Sequence, residues 1–331
     1  MKKIYLITIF LFLFTALSSV IAVYLFSTPP VIRDKTIIYT VEPGQTLSQV
    51  AQQLEKLGVI YNAMAFKTVA QLKGMERGIN AGRYNIPSNM PPIEILEMLA
   101  SGKITTNYVT IPEGMTIQET AQILQASVGI DSTTFVTLAT DSKISGSLVR
   151  EANTLEGYLF PATYNFYEEM SASEILNIMT NRYNNILSKE RREQATKLGF
   201  SLHEIITLAS IIEKEARLDS ERKIISGVFH NRLRRGMLLE ADPTVKFGIG
   251  RPKMRLFEKH LVDLSPYNTY VHSGLPPGPI CSPGQASIDA ALFPQDVPYY
   301  FFVAKGDGSH IFSITNQQHN RARIRVKRQQ R

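Results

Sequence analysis

The sequence predicts an α+β protein with three parts: an N-terminal transmembrane helix, a small α+β domain and a larger, mixed α/β domain. An uncharged run of 23 residues, at positions 4–26, is long enough to cross a bilayer as a helix. A strand–turn–helix pattern then occurs twice at an offset of 70 residues, which indicates a small repeated unit. From about Thr154, helical patterns come first and short strand patterns follow, so this part mixes both kinds of element.

The positive charge of the chain is concentrated at its ends. The 331 residues carry a net charge of +7, but residues 321–331 hold six basic side chains and no acidic one, and Lys2 and Lys3 add two more. The remainder has a net charge of −1. A nucleic-acid-binding protein would carry its positive charge on a folded face, so that class is not favoured. The basic tail could contact anionic lipid, a polyanionic polymer or no partner.

The N-terminal apolar run is predicted to be an uncleaved anchor at residues 4–26, with a stub at residues 1–3 and a linker at residues 27–36. The run is longer than the core of a typical signal peptide, although a cleaved signal peptide is the alternative. Basic residues flank it on both sides. The short leading segment favours an N-terminus inside the cell and the bulk of the chain outside.

The repeated unit predicts a small α+β domain over residues 37–148. Its two copies, residues 42–60 and 112–130, share a glycine turn at Gly44 and Gly114 and a threonine before the helix. Residues 81–99 are a weaker third copy. The larger domain is predicted over residues 149–320, with a β-hairpin at residues 298–313, a short helix at residues 287–292 and the basic tail after it.

A helix beginning near Ser201 places two carboxylates, Glu213 and Glu215, above apolar side chains. Ser201 and Glu204 form a capping-box pattern, and apolar residues then recur at helical spacing. A carboxyl group held against apolar neighbours has a raised pKa, which suits a general acid at neutral pH. In the alternative interpretation both are ordinary surface residues, paired with Lys214, Arg217 or Arg222.

Loops later in the chain have the composition of a binding-site wall. Proline and glycine fix the backbone at residues 274–278, while Tyr267, Asn268, Thr269 and Tyr270 add hydrogen-bonding groups and aromatic faces suited to sugars. The alternative is a rigid turn with two packed tyrosines.

No metal site and no cofactor are predicted. The six histidines show no metal-ligand spacing: His203, His230, His260, His272, His310 and His319. Cys281 is the single cysteine, so no intrachain disulfide is possible, and nothing beyond its loop supports it as a nucleophile.

Taken together, these blocks resemble the MltG (YceG-like) endolytic murein transglycosylases over roughly residues 37–320. The blocks that carry the resemblance are Leu155-Glu-Gly-Tyr-Leu-Phe-Pro161, Ala209-Ser-Ile-Ile-Glu-Lys-Glu215, Asn231-Arg-Leu233, Asp242-Pro-Thr244, Tyr267-Asn-Thr-Tyr270, Gly274-Leu-Pro-Pro-Gly278 and Gly308-Ser-His310. One departure is Ala162, where the family usually has Asp. The first repeat copy also resembles half of a LysM module, on Tyr39, Val41, Gly44, Thr46, Leu47 and Ala51.

The resemblance implies a membrane-anchored enzyme of the bacterial cytoplasmic (inner) membrane, facing outward. It would cleave the MurNAc–GlcNAc bond of nascent peptidoglycan strands without water, form 1,6-anhydro-MurNAc ends and terminate strand elongation. The family's helix pattern puts the catalytic carboxylate at Glu215, with Glu213 as the fallback. The implied substrate-binding residues are Glu156, Asp242, Thr244, Tyr267, Asn268, Tyr270 and His310.

The implied partners are peptidoglycan strands, membrane lipid through the N-terminal helix and cell-wall synthases, with no nucleic acid. The LysM likeness implies contact with N-acetylglucosamine-containing glycans, although such units could merely pack as a small domain. The competing hypothesis for the whole chain is a non-catalytic, membrane-anchored peptidoglycan-binding scaffold, which leaves the glutamate helix without a purpose.

Overall fold

The computed structural model describes residues 26, 28–30, 36–75, 78–102, 107–166, 170–251 and 254–329. The predicted stub, and the predicted anchor except for its last residue, lie outside the described residues. Within the described ranges, no single helix has the length and apolar character to cross a membrane, and only the pair Lys189–Leu198 and Leu202–Glu215, bent by 90°, meets those criteria together. The chain divides into two compact units between Asn107 and Tyr108.

The first unit packs three helices against a two-stranded sheet. Its elements are β1 (Thr36–Val41), α1 (Leu47–Lys56), α2 (Ala63–Leu72), β2 (Gly82–Pro87) and α3 (Pro92–Ser101). The strands pair antiparallel, with Tyr39 opposite Tyr84. Both rings are buried in the core of this unit, and the Tyr84 hydroxyl donates to the Asn80 carbonyl at 2.7 Å.

The second unit is mainly helical and carries two small sheets. Its elements are β3 (Asn107–Ile111), α4 (Ile117–Val128), α5 (Ser132–Thr140), α6 (Ser142–Leu148), β4 (Ala162–Phe166), α7 (Ala172–Ile186), α8 (Lys189–Leu198), α9 (Leu202–Glu215), α10 (Asp219–Arg234), α11 (Asp242–Gly248), a 3₁₀ turn (Glu258–His260), α12 (Gln285–Leu292), β5 (Phe301–Ala304), β6 (His310–Ser313) and α13 (Asn316–Gln329). Strand β3 pairs with β4, and β5 pairs antiparallel with β6. The mixed α+β class and the predicted hairpin are therefore confirmed.

The sequence repeat corresponds to a repeated local structure. In each copy a strand leads into a glycine with positive φ, 82° at Gly44 and 77° at Gly114, and then into a helix with a capping box at Thr46 or Thr116. The two copies nevertheless lie in different units. The predicted boundary at residue 148 falls inside the second unit, because the buried side chains of α4 and α5 share one hydrophobic core with α9.

Helix α9 forms the centre of the second unit. The predicted capping box is present, since the Ser201 hydroxyl accepts from the Glu204 N–H and the Glu204 carboxylate accepts from the Ser201 N–H. Every residue from Ile205 to Ile212 is buried, whereas the sequence predicted burial of one face. A helix that is apolar all round is buried all round, and the polar members Thr207 and Ser210 donate to backbone carbonyls at 2.8 and 2.7 Å.

The predicted basic tail is a folded helix as far as it is described. Helix α13 extends to Gln329 and buries Ala322 and Val326, which are four residues apart on one face. His319 on the same helix stacks on Phe301 of β5, with ring centroids 5.4 Å apart. The basic side chains therefore project from a helix that packs against the hairpin.

Two helical glycines should respond oppositely to alanine. Gly146→Ala should stabilise the protein by up to about 1 kcal/mol, because alanine favours the helix over glycine and the added Cβ would have its nearest neighbour at 3.8 Å. At Gly227 the Cβ would lie 2.3 Å from the Gln295 carbonyl oxygen, so Gly227→Ala should lower the free energy of unfolding by about 1–3 kcal/mol. Urea denaturation followed by circular dichroism measures both, and stabilisation by Gly227→Ala would contradict this packing.

Candidate active site

Three segments of the second unit meet around Glu215. This residue ends α9, because Ala216 leaves helical geometry with ψ of 113°. Asp242 and Lys246, both on the short helix α11, act electrostatically on the Glu215 carboxyl group. Tyr270, in the loop after the 3₁₀ turn, also feels the charge of Glu215. The predicted site residues Glu215, Asp242 and Tyr270 are therefore brought together.

The Glu215 carboxyl group is held in an environment that disfavours its charge. Its pKa is raised from 4.5 to about 7, chiefly by burial and further by the neighbouring Asp242 carboxylate, with Lys246 acting in the opposite direction. In the part of the chain that is described, no hydrogen bond or ion pair engages this carboxyl group. It is therefore protonated in a substantial fraction of molecules at neutral pH, and its proton is not committed to a protein acceptor.

Glu213, two residues earlier, has a different environment. Its carboxylate accepts from the Gly284 N–H at 3.0 Å and pairs with Arg222 at 3.3 Å, and both side chains of the pair are 9% exposed. Arg222 also bonds Asp219 at 2.9 Å and the Ser287 hydroxyl. Pairing with Arg222, foreseen as an alternative for either glutamate, is thus found for Glu213. The Glu213 carboxylate joins α9, α10 and the start of α12.

Asp242 connects Glu215 to a cavity. Tyr270 donates its phenolic hydrogen to the Asp242 carboxylate at 2.7 Å, and burial together with this carboxylate raises the pKa of Tyr270. Asp242 also lines a cavity of about 780 Å³ whose other walls include Phe257 and Lys259. The site thus has a charged and aromatic opening on the Asp242 side.

A second cavity, of about 760 Å³, lies at the other end of α11. It is lined by Glu156, Phe247 and Tyr267, and the two aromatic rings have centroids 4.9 Å apart at 58°. Burial raises the pKa of Glu156 to about 7, although one carboxylate oxygen accepts the Ile117 N–H at 3.2 Å. The other oxygen is buried with no hydrogen-bond partner among the described residues. Glu156 and Tyr267, both predicted site residues, therefore share a cavity.

Thr244 and Asn268 are fully buried in the loop framework instead of facing a cavity. The Thr244 hydroxyl is 2.8 Å from that of Thr269, which attaches the loop to α11. The Asn268 amide donates to the carbonyls of Leu261 and Asp263, at 3.0 and 2.7 Å. These contacts leave neither side chain open to a substrate, so the substrate contact predicted for both is replaced by a role in holding the loop that carries Tyr267 and Tyr270.

His310 is likewise enclosed by the protein. Its Nδ1 lies 2.7 Å from the Glu221 carboxylate, whose other oxygen accepts the His310 N–H at 3.1 Å. The ring also packs edge-on against Phe302. The pair fastens the hairpin to the first turn of α10, and α10 follows the helix of Glu215, so a direct substrate contact predicted for His310 does not fit its burial.

Lys246 and Phe247 were not predicted as site residues, and the two glutamates were not distinguished by their partners. Both missed residues follow Asp242 by about one helical turn, which is the signal that could have found them. Cys281 is fully buried and its pKa is raised well above the ordinary value, chiefly by burial, so a thiolate nucleophile has no support.

A carboxylic acid with a raised pKa at the end of α9, near Asp242, which lines a cavity with aromatic and charged walls, is an arrangement that suits general-acid chemistry. The chain belongs to the YceG-like family, whose family model matches residues 39–325. The resemblance found in the sequence blocks is confirmed by this match.

Relatives of known name agree with this family. The chain is 33% identical over 314 residues to the endolytic murein transglycosylase of Bacillus subtilis, covering 89% of this chain and 86% of that protein. It is 28% identical over 319 residues to the endolytic murein transglycosylase of Streptococcus pneumoniae, covering 86% of this chain and 57% of that longer protein. A crystal structure of a yceG-like protein from Listeria monocytogenes superposes with a TM-score of 0.61 at 32% identity, covering 87% of this chain and 99% of that one.

Glu215→Gln should make the folded protein more stable at alkaline pH. The folded-state pKa, about 7, lies above the ordinary 4.5, so ionisation of Glu215 removes stability as pH rises between those values. The neutral amide avoids this loss, and we expect a gain on the order of 1–3 kcal/mol at pH 8 that shrinks toward pH 5.

The matched variant is Glu213→Gln, which removes the buried one of the two carboxylate partners of Arg222 and should destabilise the protein by about 3 kcal/mol. Denaturant unfolding of both variants across pH 5–8 measures these changes. If Glu215→Gln has no pH-dependent advantage over the wild type, Glu215 is not desolvated as described.

Proposed function

We propose that this protein is an endolytic murein transglycosylase that uses Glu215 as its only catalytic carboxyl group. It cleaves the bond between N-acetylmuramic acid and N-acetylglucosamine in peptidoglycan strands and leaves a 1,6-anhydro-MurNAc end. The observation that carries the proposal is that Glu215 has a pKa of about 7 and lies near Asp242, which lines a cavity. The names of the Bacillus and Streptococcus relatives support the reaction class.

In the first step, Glu215 acts as the general acid. Its carboxyl proton passes to the glycosidic oxygen as the bond from that oxygen to C1 of the muramic acid breaks. Positive charge develops on C1 and the ring oxygen, and the newly formed Glu215 carboxylate stabilises it together with the nearby Asp242. Tyr270, hydrogen-bonded to Asp242, keeps that carboxylate in place.

In the second step, Glu215 acts as the base. Its carboxylate removes the proton from the C6 hydroxyl of the same sugar while O6 bonds to C1 and closes the anhydro ring. Glu215 is then protonated again, no water is consumed, and the reaction is that of a lyase. A pKa near neutrality suits a group that must give and retake one proton. Glu213 cannot do this without breaking its bonds to Arg222 and Gly284.

The two cavities at the ends of α11 are proposed to hold successive parts of the glycan. The Asp242 cavity takes the sugars at the scissile bond. The Glu156 cavity takes a neighbouring ring, which stacks on Tyr267 and Phe247 while the unpaired Glu156 oxygen bonds a sugar hydroxyl.

The setting of the reaction is part of the proposal. Residues 4–26 anchor the protein in the bacterial cytoplasmic membrane with the N-terminus inside, so that the enzyme meets nascent strands on the outer side, ends their elongation and lies near the synthases. The LysM-like features of the first unit, Tyr39, Gly44 and Thr46 among them, support additional contact with N-acetylglucosamine.

Glu215→Gln should abolish turnover without loss of murein binding. The amide cannot donate the proton, so release of anhydro-muropeptides should fall by at least about 100-fold. Mass analysis of products from purified murein, with the full-length protein in detergent, measures this. Folded Glu213→Gln protein should retain turnover, as should the surface control Glu193→Gln.

Two outcomes would contradict the proposal. A normally folded Glu215→Gln protein that still released anhydro products would remove Glu215 from the mechanism. Wild-type protein that bound murein but yielded no products would instead support a non-catalytic scaffold.

A further inference from the structure

Helix α13 presents a row of arginines that the proposed reaction does not use. Arg321, Arg325 and Arg328 are exposed and follow one another at helical spacings of four and three residues, so they lie on one face, which we call the arginine face. Ile324 lies beside them and is 56% exposed. Like charges at this spacing repel each other and destabilise an isolated helix, which a bound anion would offset.

The arginine face borders a groove of about 560 Å³ between α13 and the hairpin. Arg321 and Arg325 form one wall, and Tyr299, Phe312 and Ile314 belong to the other. Among the described residues that line it, none is acidic. Ile314, 45% exposed, adds a second apolar side chain at the rim. The groove therefore combines guanidinium groups with aromatic and aliphatic surface.

The opposite flank of α13 differs in its electrostatic surroundings. Arg323 and Lys327 are also exposed and four residues apart, but the neighbourhood of His319 on that side contains Glu240 as well as Arg323. Burial of Ala322 and Val326 separates the two flanks and fixes the rotation of the helix. Arg321 and Arg325 thus lie beside the groove, whereas Arg323, of the pair on the opposite flank, shares the neighbourhood of His319 with Glu240.

We propose that the arginine face and its groove bind the phosphate headgroups of an anionic membrane surface. The planar guanidinium group matches phosphate in geometry and charge. Exposed Ile324 and Ile314, with Tyr299 and Phe312 in the groove wall, suit the boundary between headgroups and acyl chains. A soluble phosphodiester polymer would satisfy the arginines but leave the two isoleucines in water, so the bilayer is the better match. This inference is independent of Glu215 and of the proposed reaction.

The absence of tryptophan from the sequence permits a direct test. Ile324→Trp introduces a single reporter on the arginine face, and Tyr108→Trp, at an exposed position on β3, serves as the control reporter. Each full-length variant is reconstituted into vesicles of phosphatidylcholine, or of equal parts phosphatidylcholine and phosphatidylglycerol, carrying brominated acyl chains. We expect a blue shift and bromine quenching for the Ile324→Trp protein in the anionic vesicles only.

Charge variants in the Ile324→Trp background then locate the contact. Arg321→Gln with Arg325→Gln should weaken it by roughly 30-fold, since each basic residue near an anionic surface contributes about a fivefold factor. Arg323→Gln with Lys327→Gln removes the same charge and should leave quenching nearly unchanged. Equal quenching in neutral vesicles, equal loss from both pairs, no quenching, or a shift with soluble polyphosphate alone would each overturn the proposal.

Discussion

Removal of one carboxyl group from water is the physical constraint on which the site depends. Residues Ile205–Ile212 of α9 are buried, and Glu215 lies half-buried just beyond them, where the described residues provide no hydrogen-bond donor to it. A charged carboxylate is costly in such a place, so the group retains a proton near neutral pH. The burial that forms the core of the second unit therefore also raises the pKa of Glu215.

The carboxyl groups of Glu213 and Glu215, both at the end of α9, have different neighbours. The Glu213 carboxylate pairs with Arg222 and accepts the Gly284 N–H, and these contacts join three helices. Glu215 has Asp242, a like charge, as its neighbour, with Lys246 offsetting it in part. A structural ion pair and a carboxylic acid with a raised pKa thus lie two residues apart. They differ because Glu213 is paired with Arg222 of α10, whereas Glu215 lies near Asp242 of α11.

Local features of the fold could be predicted from the sequence, and long-range ones could not. The capping box at Ser201 and the threonines that begin the helices at Thr46 and Thr116 depend on residues close in sequence, so they were predicted. The raised pKa of Glu215 followed from its apolar helical neighbours. Thr244 and Asn268 were assigned to substrate because they lie in blocks that carry the family resemblance, but their partners are set by tertiary packing, as in the Thr244–Thr269 contact. The contacts divide the chain after residue 107, whereas the domain boundary was predicted at residue 148, because the core that joins α4 and α5 to α9 consists of contacts distant in sequence.

The most direct test is a carbon-13 NMR titration of glutamate side-chain carboxyls in the full-length protein, with the Glu215 signal identified by its absence from Glu215→Gln. We expect a titration midpoint near pH 7 for that signal. A midpoint close to the ordinary value of 4.5 would show that Glu215 is solvated, and it would remove the acid on which the proposed reaction depends.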